Sequence, residues 1–156
     1  MKGFEPIYNY NSKILILGSF PSVISRENKF YYGNPQNRFW KMLEKIFNCS
    51  LTNVNNKINF LLNYNIALWD IIKSCQIVGS LDKNLKDIKY VNLKKVLPNN
   101  TNVNKILCNG KKCYTLTKKY LKDNKMDFEC ICLPSTSPAN VRFDLALWQN
   151  ELEELL

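Results

Sequence analysis

The chain has 156 residues, 46% of them apolar, which is enough to build one folded unit with a buried core and excludes a disordered polymer. Its 22 Lys and Arg outweigh 13 Asp and Glu, and the resulting +9 charge attracts polyanions such as nucleic acid, although an AT-rich coding sequence yields the same Lys- and Asn-rich composition. Histidine is absent, which excludes Ser-His-Asp and Cys-His nucleophilic systems, HExxH metalloproteases and His-based acids.

In chain order, Met1 to Lys13 lacks a secretory pattern, and no later apolar run approaches the ~20 residues of a membrane span, so no membrane contact and a cytoplasmic location are expected. Lys13 to Gly18 is a continuous apolar run ending in glycine, the pattern of a buried parallel strand. A polar loop leads to Pro35, and Gln36 to Phe47 then reads as a helix with Phe39, Trp40, Leu43, Ile46 and Phe47 on one face. A second helix fits Val54 to Tyr64, with Ile58, Leu61 and Leu62 inward, and Asn65 to Trp69 is a short strand. Leu81 to Leu97 reads as a charged helix broken near Val91. Val103 to Cys108 is a third strand, a Lys-rich helix runs on to Lys122, and Asp127 to Leu133 is a fourth strand. A tight loop from Pro134 to Asn140 precedes a closing helix, Arg142 to Leu156. Strands separated by helices imply one domain, residues 1–156, with an α/β fold: three α/β/α layers around a mainly parallel four-stranded sheet.

Six cysteines occur without a C-x-x-C pair, so buried reduced thiols are expected rather than a metal site, and no cofactor is implied. Cys130 and Cys132 alternate in a strand-like run and should share a face.

Ligands of such folds bind outside the carboxyl ends of the strands. Those ends carry Gly18-Ser19-Phe20-Pro21, Trp69-Asp70, Asn109-Gly110 and Leu133-Pro134-Ser135. The main-chain amides near Ser19 and Phe20 can grip an anion or a base edge, or the segment is simply a turn; it is no Walker loop. Tyr31 and Tyr32 beside Gly33-Asn34-Pro35 offer an aromatic platform for a nucleobase. Asn37 lies at a helix start, where it either serves a ligand or satisfies backbone donors. Ser135, Thr136, Ser137 and Asn140, with Arg142 adding charge, suit phosphate contacts or form an ordinary capped loop. Lys111 and Lys112 begin a helix where phosphates would be welcome, or carry solvated surface charge. Asp70 reads first as the cap of a following helix and second as a base.

Taken together, the stretch from Gly18 to Met42 with its PQNRFWKM core resembles the first motif region of the uracil-DNA glycosylase superfamily. Its Asn-Pro-x-Asn-Arg-Phe-Trp-Lys run is similar to the mismatch-specific enzymes. With Ala67-Leu-Trp-Asp70, Gly79-Ser-Leu-Asp82 and LPSTSPAN, the pattern resembles the hypoxanthine-DNA glycosylase branch across nearly the whole chain. Phe20 stands where the uracil enzymes carry a water-activating Asn, Ser22 where a glycine is usual, and Leu133 where relatives place His or Asn. The resemblance implies that Asn37 supplies the missing amide, Asn109 a second one, and Tyr32 the ring that stacks on a flipped base. It also implies that the LPSTSPAN loop enters the duplex and holds phosphates.

The expectation is therefore a monofunctional glycosylase of base excision repair that acts, as a monomer, on double-stranded DNA containing deaminated bases. Hypoxanthine is favoured and uracil is second; a G:U/G:T mismatch enzyme and a non-catalytic nucleic-acid-binding module on the same fold are the alternatives. A lyase role needs an amine nucleophile in the pocket, and none is expected there.

Overall fold

The computed structural model describes residues 1–77 and 85–156. Its centre is β1 (Ile14–Gly18), whose Ile14, Leu15, Ile16 and Leu17 are almost wholly buried because both sheet faces are covered. β1 pairs in parallel with β2 (Ile66–Asp70) on one side and β5 (Lys105–Asn109) on the other, and β6 (Glu129–Leu133) extends the sheet beyond β5. The order β2-β1-β5-β6 is the expected four-stranded parallel sheet. The free side of β2 is covered by an antiparallel bridge between Ile7 and Leu68, which protects an otherwise open edge.

Around the sheet lie α1 (Val23–Asn28), α2 (Phe39–Phe47), α3 (Val54–Asn63), α4 (Lys111–Asp123) and α5 (Leu145–Leu152). The apolar stripe of α2 is buried as its spacing predicts, with Phe39 and Leu43 at 0% exposure. α3 buries Phe60 and Leu61 fully, while Ile58 and Leu62 stay half-buried. α5 is shorter than expected and ends in a 3-10 turn over Glu153–Leu155, docked to β5 where Lys105 meets Glu151 at 3.3 Å and Glu154 at 3.0 Å. No helix among the described residues is long and apolar enough to cross a membrane.

Over the described residues 85–97, the helix expected from Leu81 to Leu97 is not formed. Its described part is β4 (Leu85–Tyr90), which pairs antiparallel with β3 (Ile72–Ile77), followed by a 3-10 turn over Leu93–Val96. The register between the two strands shifts twice, and Asp87 in β4 adopts φ 52°. Such irregularities break the alternation of a strand, so Leu85, Ile88 and Val91 come three residues apart and imitate a helical face. Gly79 to Asp82 lies outside the described residues.

The reading of Asp70 as a helix cap also fails, because a strand comes after it. The β1–β2 ladder runs on past Asp70: Ile71 N–H donates to Gly18 O (2.9 Å) and Ile72 N–H to Ser19 O (3.1 Å). The cysteines are all free, but only Cys75, Cys108 and Cys113 are buried. Cys130 is half-buried and Cys132 exposed, because β6 is an edge strand with less cover than the central ones. Cys49 is exposed as well.

Candidate active site

At the carboxyl ends of β1, β2, β5 and β6 the surface opens into a cleft of about 700 Å³. Ser19, Phe20, Tyr32, Asn37, Asp70, Asn109, Lys111, Ser135, Thr136, Ser137, Asn140 and Arg142 all line it. Residues drawn from positions 19 to 142 are thus brought to one place, as expected of a parallel sheet whose strands all end on the same side.

The floor is the end of β1. Gly18 is in register with Asp70, and both are buried. A methyl group on Gly18 would collide with Asp70 Oδ1 and lie 2.8 Å from Tyr32 Oη, so both side chains approach as closely as they do because position 18 has no Cβ.

One wall is the segment Tyr31 to Arg38, and helix α1 holds it. Ser22 caps α1 by accepting from Ser25 N–H (3.2 Å), and Ser25 Oγ in turn accepts from Gly33 N–H (3.0 Å). Asn28 Nδ2 donates to Gly33 O (2.8 Å). Tyr31 is buried and donates to Glu5 O (2.7 Å); burial first, then the charge of Asp70, push its hydroxyl well above the ordinary tyrosine range. Tyr32 adopts a left-handed backbone (φ 51°), which is strained for a bulky residue, and its ring stacks on Phe39 at 4.1 Å. Because Phe39 is itself wholly buried, the plane of the Tyr32 ring is fixed by the core.

Asn37 Oδ1 accepts from Phe39 N–H (2.9 Å), so the amide does satisfy a donor at the start of α2 while facing the cleft. Of the two readings of Asn37, the one in which it satisfies a backbone donor is what the structure shows. The hydrogen bond fixes the amide and leaves the Nδ2 group and a second Oδ1 lone pair for further contacts.

The opposite wall is the loop after β6. Asn109 grips it from both atoms of its amide: Oδ1 accepts from Thr136 N–H and Nδ2 donates to Thr136 Oγ1, each at 2.9 Å. This makes Asn109 first a clamp on the loop, and Thr136, at 0% exposure, a buried anchor rather than an open phosphate contact. Asn140 Nδ2 closes the loop on Ser135 O (2.9 Å), and Trp148 Nε1 donates to Pro134 O (2.8 Å). Lys111 and Arg142 are exposed and bring positive charge to the rim.

Arg38 was not among the residues expected at the site. Its guanidinium donates to Ser137 O (2.9 Å) and Asn140 O (3.0 Å) and sits 5.2 Å from the Phe143 ring, while its own N–H bonds Thr136 O (3.0 Å). It ties the two walls together, and its adjacency to Asn37 was the only signal in the sequence. Charge-assisted bonds of this kind contribute roughly 1.5–3 kcal/mol each. Arg38→Ala should lower Tm by on the order of 5–10 °C in a thermal melt, and Arg38→Lys should recover little of it, because both bonds come from one terminal guanidinium nitrogen that the shorter lysine stem does not reach.

A layered parallel sheet whose strand ends carry a cleft lined by amides, hydroxyls and aromatic rings is the arrangement of an α/β enzyme that takes its ligand at the carboxyl ends of its strands. The chain belongs to the uracil DNA glycosylase superfamily, whose pattern it matches over residues 5–155, and is thus a DNA glycosylase, a hydrolase of N-glycosyl bonds. It is 34% identical over 147 residues to a Methanosarcina acetivorans protein named hypoxanthine DNA glycosylase, covering 91% of this chain and 89% of that one. A Methanosarcina barkeri protein of the same name is 37% identical over 116 residues, 71% of this chain and 72% of its own. The solution NMR structure of an M. acetivorans protein, described as a candidate uracil DNA glycosylase, superposes with a TM-score of 0.83 at 31% identity, covering 99% of this chain and 97% of the other.

Proposed function

We propose that the chain is a monofunctional glycosylase that hydrolyses the N-glycosidic bond of a deaminated base flipped out of double-stranded DNA, with hypoxanthine preferred and uracil second. It acts as a monomer in the cytoplasm, where its free cysteines stay reduced. The observation that carries the reading is the convergence of Ser19, Phe20, Tyr32, Asn37 and Asn109 on one cleft. Two relatives named hypoxanthine DNA glycosylase support the purine, and a cleft of about 700 Å³ leaves room for it. The structural relative described as a candidate uracil enzyme favours uracil as the second base.

A base inside a duplex is out of reach, so the nucleotide must rotate into the cleft, at a cost of a few kcal/mol that is least at a mispair. Tyr32, its plane fixed by Phe39, stacks on the base. Main-chain amides of Ser19 and Phe20 face the base edge, where negative charge develops as the bond breaks, and donors fixed in advance stabilise that charge. Asn37 orients water toward the sugar carbon. Ser135, Ser137, Asn140, Lys111 and Arg142 hold the phosphates, while Asn109 and Arg38 keep their loop in place. Lys111 is exposed, whereas nucleophilic lysines are desolvated, so no covalent imine with DNA forms.

Val141 deepens this picture. It is 90% exposed at the tip of the loop, between Asn140 and Arg142, and an apolar side chain there is suited to wedge into the stack a flipped nucleotide leaves. Val141→Ala should slow excision from duplex DNA by about tenfold, the 1.4 kcal/mol of a partly lost wedge, and slow excision from single strands less.

The test is a single-turnover panel on duplexes carrying deoxyinosine, deoxyuridine or a G:T pair, read as strand scission after alkali. Release of hypoxanthine ahead of uracil is expected. Faster action on G:U or G:T would replace the reading with a mismatch enzyme, and binding without scission on every lesion would leave a non-catalytic module. Borohydride trapping of a protein–DNA adduct would overturn the monofunctional assignment.

A further inference from the structure

Asp70 is the one carboxylate among the described residues that line the cleft, and none of the steps assigned to Tyr32, Asn37 and the loop makes use of it. It is 5% exposed. It does not cap a helix: the backbone beyond it is strand, and the amides of Ile71 and Ile72 are taken by Gly18 O and Ser19 O. Its Oδ1 lies over the Cα of Gly18 with Tyr32 Oη close by, at the floor of the cleft. The Asn37 amide, which lines the same cleft, can orient a water but cannot accept its proton, and the chain has no histidine to do so.

We propose that Asp70 is the general base of the reaction, an inference that rests on the glycosylase reading. As the bond between C1′ and the base nitrogen breaks, its electron pair leaves with the base and the sugar becomes cationic. The negative carboxylate stabilises that cation. A water held by Asn37 forms the new C1′–O bond and gives its proton to Asp70. The base anion takes a proton from solvent, and Asp70 returns its own to solvent. Water and the lesion nucleotide are consumed, and an abasic sugar and the free base are produced, with no oxidant or reductant involved.

The pH dependence separates this role from a structural one. Facing Asp70 are the hydroxyls of Tyr31 and Tyr32, and the rest of the cleft lining adds the cations Lys111 and Arg142 and the thiol of Cys132. Side chains of those types lose protons only above neutrality, so a loss of rate on the acid side of neutrality belongs to the carboxylate. General-base catalysis requires the ionised form, so the rate falls as pH drops through the pKa of Asp70.

Single-turnover base release from a lesion duplex that the wild type cleaves, measured from about pH 4 to 9, tests the proposal. The wild type should show an acid limb. Asp70→Asn should lower the plateau by about a hundredfold or more and remove the limb, and formate should restore part of the rate to Asp70→Ala. A rate for Asp70→Asn within about threefold of wild type, or an unchanged limb, would overturn the assignment. Should Asp70→Asn fail to fold by circular dichroism, Asp70→Glu decides: a displaced limb supports the base, and an unchanged limb at the wild-type rate overturns it. A wild type that releases no base from any lesion overturns the glycosylase reading itself, a result distinct from these.

Discussion

Asn37→Ala should reduce single-turnover base release by on the order of a hundredfold while leaving binding to lesion DNA nearly unchanged. In the proposed reaction the amide touches the water rather than the phosphates or the base stack, so its loss removes orientation in the transition state and little ground-state affinity. The substitution also deletes the acceptor for Phe39 N–H, a loss of about 1 kcal/mol at the start of α2. Asn37→Ser separates the two effects, because a hydroxyl can still accept at the helix start but cannot span the reach of the amide. If orientation of water is the role, Asn37→Ser melts near the wild type and remains as slow as Asn37→Ala. Recovery of activity by serine would reduce Asn37 to a cap. Both variants should keep the acid limb of the pH profile, since the proton is accepted elsewhere. Comparable rates for Asn37→Ala and wild type would sink the assignment.

How far the sequence alone reveals the structure depends on the range of the interactions involved. The four parallel strands were legible because Ile14 to Leu17 and their neighbours are apolar on both faces, a pattern that needs no knowledge of partners. Helix α1 leaves no such mark because it is six residues long and its one buried residue is Ser25, with Val23 and Ile24 turned outward. The β3–β4 pairing is hidden because irregular register erased the alternation that marks a strand. The site residues were legible as types at strand ends, but their division of labour was not. Arg38 acts on carbonyls 99 and 102 positions away, and Asn109 on Thr136, 27 away, so neither clamp leaves a local pattern. The place of Asp70 is hidden for the same reason, since a carboxylate at a strand end caps a helix or faces a cleft according to the element that comes next in the fold.

Gly18→Ala should cost at least about a hundredfold in base release and only about 5 °C in Tm, a disproportion that few glycines at the end of a buried strand would show. The added methyl meets Asp70 Oδ1 and, at 2.8 Å, Tyr32 Oη, and both are the outer ends of side chains rather than backbone. They can therefore yield by rotation, and overpacking of this kind destabilises by about 1–3 kcal/mol. What cannot be kept is their position: the carboxylate leaves the floor, and the Tyr32 ring tilts from the plane in which Phe39 holds it. If the damage runs through Asp70, the two substitutions are not additive. Gly18→Ala in an Asp70→Asn background should then slow the reaction several-fold less than it does alone. Full additivity would assign the whole effect to Tyr32 and the base stack, and a wild-type rate for Gly18→Ala would show that neither group needs the place the bare glycine leaves for it.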